Sequence, residues 1–417
     1  MQTKVLELEL TEEIKPLSGL DGFQSLFVLV RYQGHPVGTA MVGGLRGSVV
    51  SAERLREIIA EQVGWKLMPV VLGRQFGGAT GQNRPSPSIT VVVCTRDRTL
   101  QLRSCLQALL ALDYPKHDIL IIDNAPSNDD TAQLATDLSV RYVRETRPGL
   151  DWARNRAISE ARSDIIAFTD DDARPDRLWL RAIASAFAEP EVMALTGLVL
   201  PAELETIAQN RFEFVYGGMS KGFRRRLVRR RTLTVRDLLW ASGFGVGANM
   251  AFRRRLFTEV GLFDVALDVG TPSGGGGDVE MFHRLVARGH TLIYEPEALV
   301  WHAHRKDPAS LRRLVYDNGR SFGAYLLTCA HNRTVSRLSI FKFAVCNWIG
   351  GWIVRRLFRP GQFPRHLVAL ELLGALMSPL MYVKAQLHAR KVAAAPSAEP
   401  LEKPLDQSDS RQGTEAG

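Results

Sequence analysis

The sequence predicts an α/β chain centred on a doubly wound, mostly parallel sheet, with a small N-terminal α+β domain before it and a C-terminal helical region after it. Three observations lead there. From residue 89 onward, short apolar runs of strand length alternate with stretches of helical spacing. The runs are continuously apolar, as strands covered on both faces require. Polar residues gather where the runs end, on the side where such a sheet opens its ligand crevice. Length and composition agree: 417 residues suit two or three domains at roughly 150 residues each. With 45% hydrophobic and 23% charged residues, 35 Gly and 20 Pro, a wholly disordered chain, a collagen-like repeat and a coiled coil are excluded.

Residues 5–10 alternate in the manner of a strand, and 27–32 and 37–42 are apolar runs separated by Gln33-Gly34-His35-Pro36, a four-residue hairpin signal. Residues 52–63 have helical spacing. Nothing there looks catalytic, so residues 1–80 read as an accessory domain for docking or packing. Residues 77–88, rich in Gly, Pro and Ser, mark a linker. Beyond it, a strand at 89–94, a helix at 100–112 and a strand at 119–122 make a βαβ unit. A strand at 141–143, a helix at 151–161 and a strand at 165–169 continue the series, and the α/β domain is expected over 88–310.

Two apolar stretches follow, 340–354 and 367–383, each interrupted by a charge, Lys342 and Glu371. Both fall short of the about 20 residues a simple membrane span needs. Residues 311–392 therefore read as helices that pack together or lie in a membrane interface. Residues 393–417 are polar and rich in Pro, Ser and Glu, and are expected to be disordered. The net charge of +9 comes from 53 Lys+Arg against 44 Asp+Glu and suggests an anionic partner. Arginines cluster at 224–231, 253–255 and 355–365. Such runs fit a solvated face or an anionic surface; no RNP, zinc-finger or aromatic-interleaved pattern accompanies them, so nucleic acid is not an expected partner. Cys94, Cys105, Cys329 and Cys346 form no C-x-x-C pair, which points to a reducing, cytoplasmic compartment. Residues 1–10 carry charges and no apolar run, so neither a secretion signal nor an anchor is expected there.

The chemistry-bearing residues fall at strand ends. Thr95-Arg96-Asp97-Arg98 follows the first strand of the domain, Asp123-Asn124 ends the second, and Asp170-Asp171-Asp172 ends the fourth. Three consecutive carboxylates after a buried strand are electrostatically costly unless a cation neutralises them. A hard divalent metal is expected; a helix cap or an acidic loop is the plainer alternative. His302 and His304 lie two apart after another apolar strand, so both can point to one face, as ligands or as packing.

Four motifs in order, Val91-Val92-Val93-Cys94-Thr95-Arg96-Asp97-Arg98, Ile122-Asp123-Asn124 with Asp129, Gly149-Leu150-Asp151-Trp152-Ala153-Arg154-Asn155 and Phe168-Thr169-Asp170-Asp171-Asp172, resemble the signatures of the family 2 glycosyltransferases. The resemblance continues through Gly245-Val246-Gly247-Ala248-Asn249, Gly261-Leu262-Phe263-Asp264, Gly275-Gly276-Gly277-Asp278 and Val300-Trp301-His302-Ala303-His304. It implies a GT-A fold and an enzyme that inverts the anomeric centre.

By this resemblance Thr95, Arg96 and Asp123 hold the nucleoside, and Gly149 lets the backbone approach it. The acidic triplet matches the family's DXD motif: Asp170 is expected near the ribose, Asp172 on Mg2+ or Mn2+, and Asp171 able to serve in either role. His302 or His304 is a further metal or diphosphate ligand. Asn249 and Glu280 fall on the acceptor side. The family places its base in a Glu-Asp pair at a helix start, where this chain has Gly277-Asp278 with Glu280 two residues on. Asp278 is the expected base, with an ordinary helix cap as its alternative. The implied reaction moves a sugar from a nucleoside diphosphate donor to a hydroxyl acceptor in cell-envelope glycan or glycolipid synthesis. A lipid-linked acceptor and a peripheral contact at the inner face of the cell membrane are part of that expectation. A non-catalytic module binding sugar nucleotide or anionic lipid is the rival reading.

Overall fold

The computed structural model describes residues 2–45, 49–67, 86–358 and 363–394. Most of the expected linker (77–85), Arg359 and the tail beyond residue 394 lie outside the described residues.

Residues Thr3–Glu9 (β1), Ser25–Tyr32 (β2) and His35–Gly43 (β3) form a three-stranded sheet. β2 and β3 make the expected hairpin with a tighter turn than the sequence suggests. Tyr32 pairs with His35, leaving Gln33 and Gly34 at φ 52° and 78°, the hand that matches strand twist. β1 joins β2 in parallel, Thr3 opposite Ser25. Along β2 the side chains alternate between two cores, which explains its unbroken apolar run. Leu26, Val28 and Val30 meet Leu55, Ile58 and Ile59 of helix α1 (Ala52–Gln62), while Phe27 and Leu29 pack on Leu198, Leu200, Leu299 and Trp301 of the next domain. Arg31 fastens the two units, donating to Glu7 at 2.6 Å and to Asp176 at 2.6 Å.

The central sheet contains β4 (Ile89–Thr95), β5 (His117–Asn124), β6 (Arg141–Glu145), β7 (Ile165–Asp170), β8 (Ala173–Pro175), β9 (Val192–Pro201), β10 (Arg226–Val228), β11 (Asn249–Arg253) and β12 (Thr291–His302). Its order is β10-β12-β9-β11-β7-β4-β5-β6, with β8 paired to β12. The half β7-β4-β5-β6 is parallel, as the βα alternation requires, and β9 and β12 are also parallel. β11 runs antiparallel between β7 and β9 and joins the two parallel groups. Both faces are covered. Val91 and Val93 face the core of α2 (Thr99–Leu110) and α5 (Trp179–Ala186), whereas Val92 faces that of α4 (Leu150–Glu160) and α6 (Gly277–Ala287). α3 (Asp130–Asp137) connects β5 to β6. The carboxyl ends of β4, β5 and β7 therefore open on one edge, beside the start of α6.

Two long helices, α7 (Pro308–His331) and α8 (Arg365–Ala394), complete the molecule. Gly319 and Gly374 let their backbones touch: a Cβ on Gly319 would run into the Glu371 carbonyl, and one on Gly374 into that of Tyr316. Between them residues Arg337–Lys342 form a helix that continues through Phe343–Val354 in wider turns. Neither charge that interrupts the apolar stretches in the sequence breaks a helix. Glu371 is buried and held by Arg356 and by Trp352 Nε1 at 2.9 Å, so the stretch at 367–383 extends into one helix of 30 residues. Among the described residues α8 is long and apolar enough to cross a membrane by length and composition, with 33% of its apolar window buried.

Candidate active site

A cleft of about 600 Å³ lies at the carboxyl ends of β4, β5 and β7. Its floor is the acidic triplet. Thr95 Oγ1, at the end of β4, donates to Asp171 Oδ2 at 2.7 Å, and Arg98 donates to Asp171 Oδ1 at 2.6 Å and to Asp172 Oδ2 at 2.8 Å. Burial pushes the Asp171 carboxyl up to about 7 even with Arg98 beside it. Asp171 is thus engaged in the floor, leaving its two neighbours for the cleft.

Asp170, Asp172 and His302 each offer a ligand atom, and these atoms lie within 4.8 Å of one another. His302 Nε2 stands 3.2 Å from Asp172 Oδ1. Burial, then the negative charge of Asp172, raises the Asp170 carboxyl. Burial acts the same way on Asp172, but His302 and Arg98 outweigh it and hold that carboxyl well below the usual range. Two crowded carboxylates and an imidazole are a hard oxygen and nitrogen donor set that suits a divalent cation. His304 is placed differently: its Nε2 lies 3.0 Å from Glu213 Oε2 and its Nδ1 3.3 Å from His302 Nδ1. It touches the His302 ring and, like it, lines the cleft.

At the β5 end Asp123 is fully buried, and its Oδ2 accepts from Tyr142 at 3.0 Å. Its Oδ1 has no partner among the described residues, and burial pushes the carboxyl up to about 6. A buried acceptor without a donor costs free energy, and Asp123 is not among the residues that line the cleft. Next to it, Asn124 Oδ1 accepts the Gly149 N–H at 2.7 Å. Gly149 has φ 141°, open to glycine. Arg96 is exposed at the mouth.

Asp278 lies on another wall of the same cleft, in the first turn of α6 after three glycines at positive φ. Its Oδ2 accepts the Gly247 N–H at 2.8 Å and its Oδ1 the Val279 N–H at 2.9 Å. The two residues expected on the acceptor side lie elsewhere. Asn249 is fully buried in β11, its Nδ2 donating to the carbonyls of Leu198 and Ala298 and its Oδ1 accepting from Trp179 Nε1 at 2.9 Å. Glu280 is buried against Arg284, 2.6 Å from Nη2. Both are absorbed by internal hydrogen bonding. We expect Asn249→Ala to lower stability by about 2 kcal/mol or more, since it leaves buried polar groups unpaired; urea unfolding checks this, and an unchanged midpoint would contradict it.

Residues without an assigned role in the sequence also shape the site. Arg98, Asp151 and Arg154 fall inside the quoted motifs, whereas Glu213 and Asp268 have no local signal. Asp268 Oδ2 accepts the Asp151 N–H at 2.9 Å, so a side chain 117 residues away caps α4, whose own N-cap residue, Gly149, has none.

Residues 90–261 match the family model described as "Glycosyl transferase family 2". Over that stretch the chain is similar to the family 2 glycosyltransferases. Relatives include the pre-mycofactocin glycosyltransferase of Mycobacterium tuberculosis, 24% identical over 252 residues, covering 59% of this chain and 49% of that protein. Another is glycosyltransferase AglE of Haloferax volcanii, 24% identical over 229 residues, covering 52% of this chain and 68% of the relative. The chain thus spans about half the length of the first of these. Among solved structures, a mannosyltransferase from Pyrobaculum calidifontis aligns with TM-score 0.42 and 18% identity, covering 81% of this chain and 86% of that one.

Proposed function

We propose that this chain is a metal-dependent, inverting glycosyltransferase that moves a sugar from a nucleoside diphosphate to a hydroxyl acceptor. One observation carries the reading: a carboxylate–imidazole ligand set and a separate carboxylate, Asp278, line the same cleft. Thr95, Arg96, Asn124 and Gly149 line the nucleoside end of the cleft, with Asp123 buried next to Asn124. Asp170, Asp172 and His302 would hold a divalent cation, Mg2+ or Mn2+, which would supply charge neutralisation for a diphosphate leaving group. Asp278 takes the acceptor hydroxyl proton as that oxygen bonds the anomeric carbon and the carbon–phosphate-oxygen bond breaks. A single displacement inverts the centre. Nucleotide sugars tested for thermal stabilisation with and without divalent cation identify the donor, since a ligand of the folded state raises the melting temperature. Release of nucleoside diphosphate upon adding acceptor then separates an enzyme from a binding module. Binding without turnover across acceptors would favour the module.

Apolar surface supports a reading of the acceptor and of its location. Met219, Val246, Val269, Leu311 and Leu314 line part of the cleft, which suits an acceptor with a lipid portion. On α8, Leu373, Leu376, Leu380, Val383 and Leu387 are all exposed, and their spacing of three and four residues puts them on one face. Leu338, Phe341 and Val345 add a second exposed row. Exposed Arg365, Lys384, Arg390 and Lys391, together with Arg337, Lys342 and Arg355, flank these rows. Such a face fits an anionic lipid surface at the cytoplasmic side of a membrane, each basic residue adding about 1 kcal/mol. We expect the protein to float with anionic vesicles at low salt and Leu376→Glu/Leu380→Glu to abolish flotation. A wild-type chain that stays behind would remove the membrane contact and leave the transfer reaction intact.

A further inference from the structure

Position 277 is glycine for a reason visible in three dimensions. A Cβ built there would stand 2.8 Å from Asp151 Cγ and 3.1 Å from Asp151 Oδ1. The Asp151 carboxylate, arriving from the first turn of α4, occupies the room a side chain at 277 would need. It lines the cleft beside Asp278 although only 1% of the residue is exposed. Its Oδ1 accepts from Arg154 Nη1 at 2.9 Å, and Arg154 is itself buried with its guanidinium over the Phe263 ring. The other edge of that guanidinium lies near Asp278 without bonding it. Arg154 Nη2 and Asp278 Oδ2 both come within 2.9 Å of the point where a Cβ on Gly247 would stand.

We propose that Asp151 is a positioning residue for Asp278: it places, from α4, the acidic group that position 277 has no room to carry, and it holds Arg154 beside the Asp278 carboxylate instead of on it. This rests on Asp278 being the base of the proposed transfer. The physical logic is competition for one cation. Arg154 sits in a buried site with Asp151 on one side and Asp278 on the other, and a buried guanidinium seeks a carboxylate. Anchored to Asp151, it steadies the charge of Asp278 from a distance. Released, it closes on Asp278, and a carboxylate in direct contact with Arg is a weaker base. The glycine and the aspartate form one device: a side chain at 277 would evict Asp151, and removal of Asp151 would leave a hole that a longer acidic residue at 277 can fill.

Moving the carboxylate tests this, using the full-length protein and steady-state kinetics with the donor found by thermal stabilisation. Asp151→Asn keeps the volume and removes the charge; kcat is expected to fall about tenfold or more while donor KM stays within about threefold. Gly277→Glu alone is expected to lose activity, since two acidic groups then claim one space. The pair Asp151→Ala/Gly277→Glu is expected to exceed Asp151→Ala in kcat at least about tenfold, because the acidic group is back beside Arg154 from the other element. Packing alone would not predict such rescue. Should Asp151→Asn melt early, the relocation pair still decides. A relocated variant no faster than Asp151→Ala at equal melting temperature, or an Asp151→Asn enzyme with wild-type kcat, overturns the inference. Asp278→Asn in the same assay separates the two levels. If it is inactive while the Asp151 variants are normal, only the positioning role fails. If it turns over like wild type, the assignment of the base fails with it.

Discussion

Asp172→Ala is expected to abolish transfer and, with it, the cation-dependent part of donor binding. In the native cleft Arg98 donates to Asp172 Oδ2 at 2.8 Å, His302 Nε2 lies 3.2 Å from its Oδ1, and Asp172 would hold the proposed cation together with Asp170 and His302. Truncation frees His302 and leaves Asp170 as a lone carboxylate ligand. On the proposed reaction a departing diphosphate would then lack a countercharge, and preorganised charge of this kind is worth about a hundredfold to a thousandfold in rate for one lost group. The fold should survive, because Arg98 keeps its 2.6 Å bond to Asp171, and Thr95 still donates to Asp171 from β4. The measurement is paired: turnover, and the rise in melting temperature produced by donor with Mg2+ or Mn2+ and without either. Wild type in chelator should behave like the variant in metal. Undiminished turnover in chelator would sink the cation assignment.

What the sequence revealed of the site, and what it hid, divides along a physical line. Thr95, Asp123, Asp170 to Asp172 and His302 stand out in the sequence because each lies where an apolar run ends, and a strand buried on both faces can carry polar residues only where it emerges. Asn249 sits within a motif and Glu280 two residues beyond one, yet their polar atoms are consumed by Trp179, Leu198, Ala298 and Arg284. A one-dimensional pattern does not tell a residue that faces a ligand from one that satisfies a neighbouring strand. Asp268 and Glu213 were hidden for the converse reason, since their partners are remote in sequence: Asp151 lies 117 residues away and His304 lies 91. Likewise the alternation of strands and helices announced the parallel half of the sheet, whereas the antiparallel β11 depends on how residues 202–248 route the chain. The charges Lys342 and Glu371 looked like interruptions. Glu371 is instead neutralised by Arg356 within the helical region, a pairing that only the packed structure makes evident.

Asp278→Asn should leave donor binding nearly unchanged while lowering kcat by about a hundredfold or more, the usual scale for a positioned general base. The substitution is close to isosteric. Asparagine can still accept the Gly247 N–H, now 2.8 Å from Oδ2, through its single oxygen, and it loses only the second acceptor, which Val279 N–H occupies at 2.9 Å. Loss of a charge from the first turn of α6 costs about 0.3–1 kcal/mol, so the melting temperature should move little. What disappears is the basicity that the proposed proton transfer from the acceptor needs. Glu280 is not positioned to replace it, because its carboxylate is locked on Arg284 at 2.6 Å and buried away from the cleft. Glu280→Gln should therefore do the opposite of Asp278→Asn: it breaks a buried ion pair, lowering stability by about 3–5 kcal/mol, while the folded fraction keeps its kcat. The two variants together tell a base from a cap. If Asp278→Asn retains kcat within a few fold and only stability falls, then Asp278 does no more than begin α6, and the proton acceptor must be sought among the other carboxylates that line the cleft, Asp151 first.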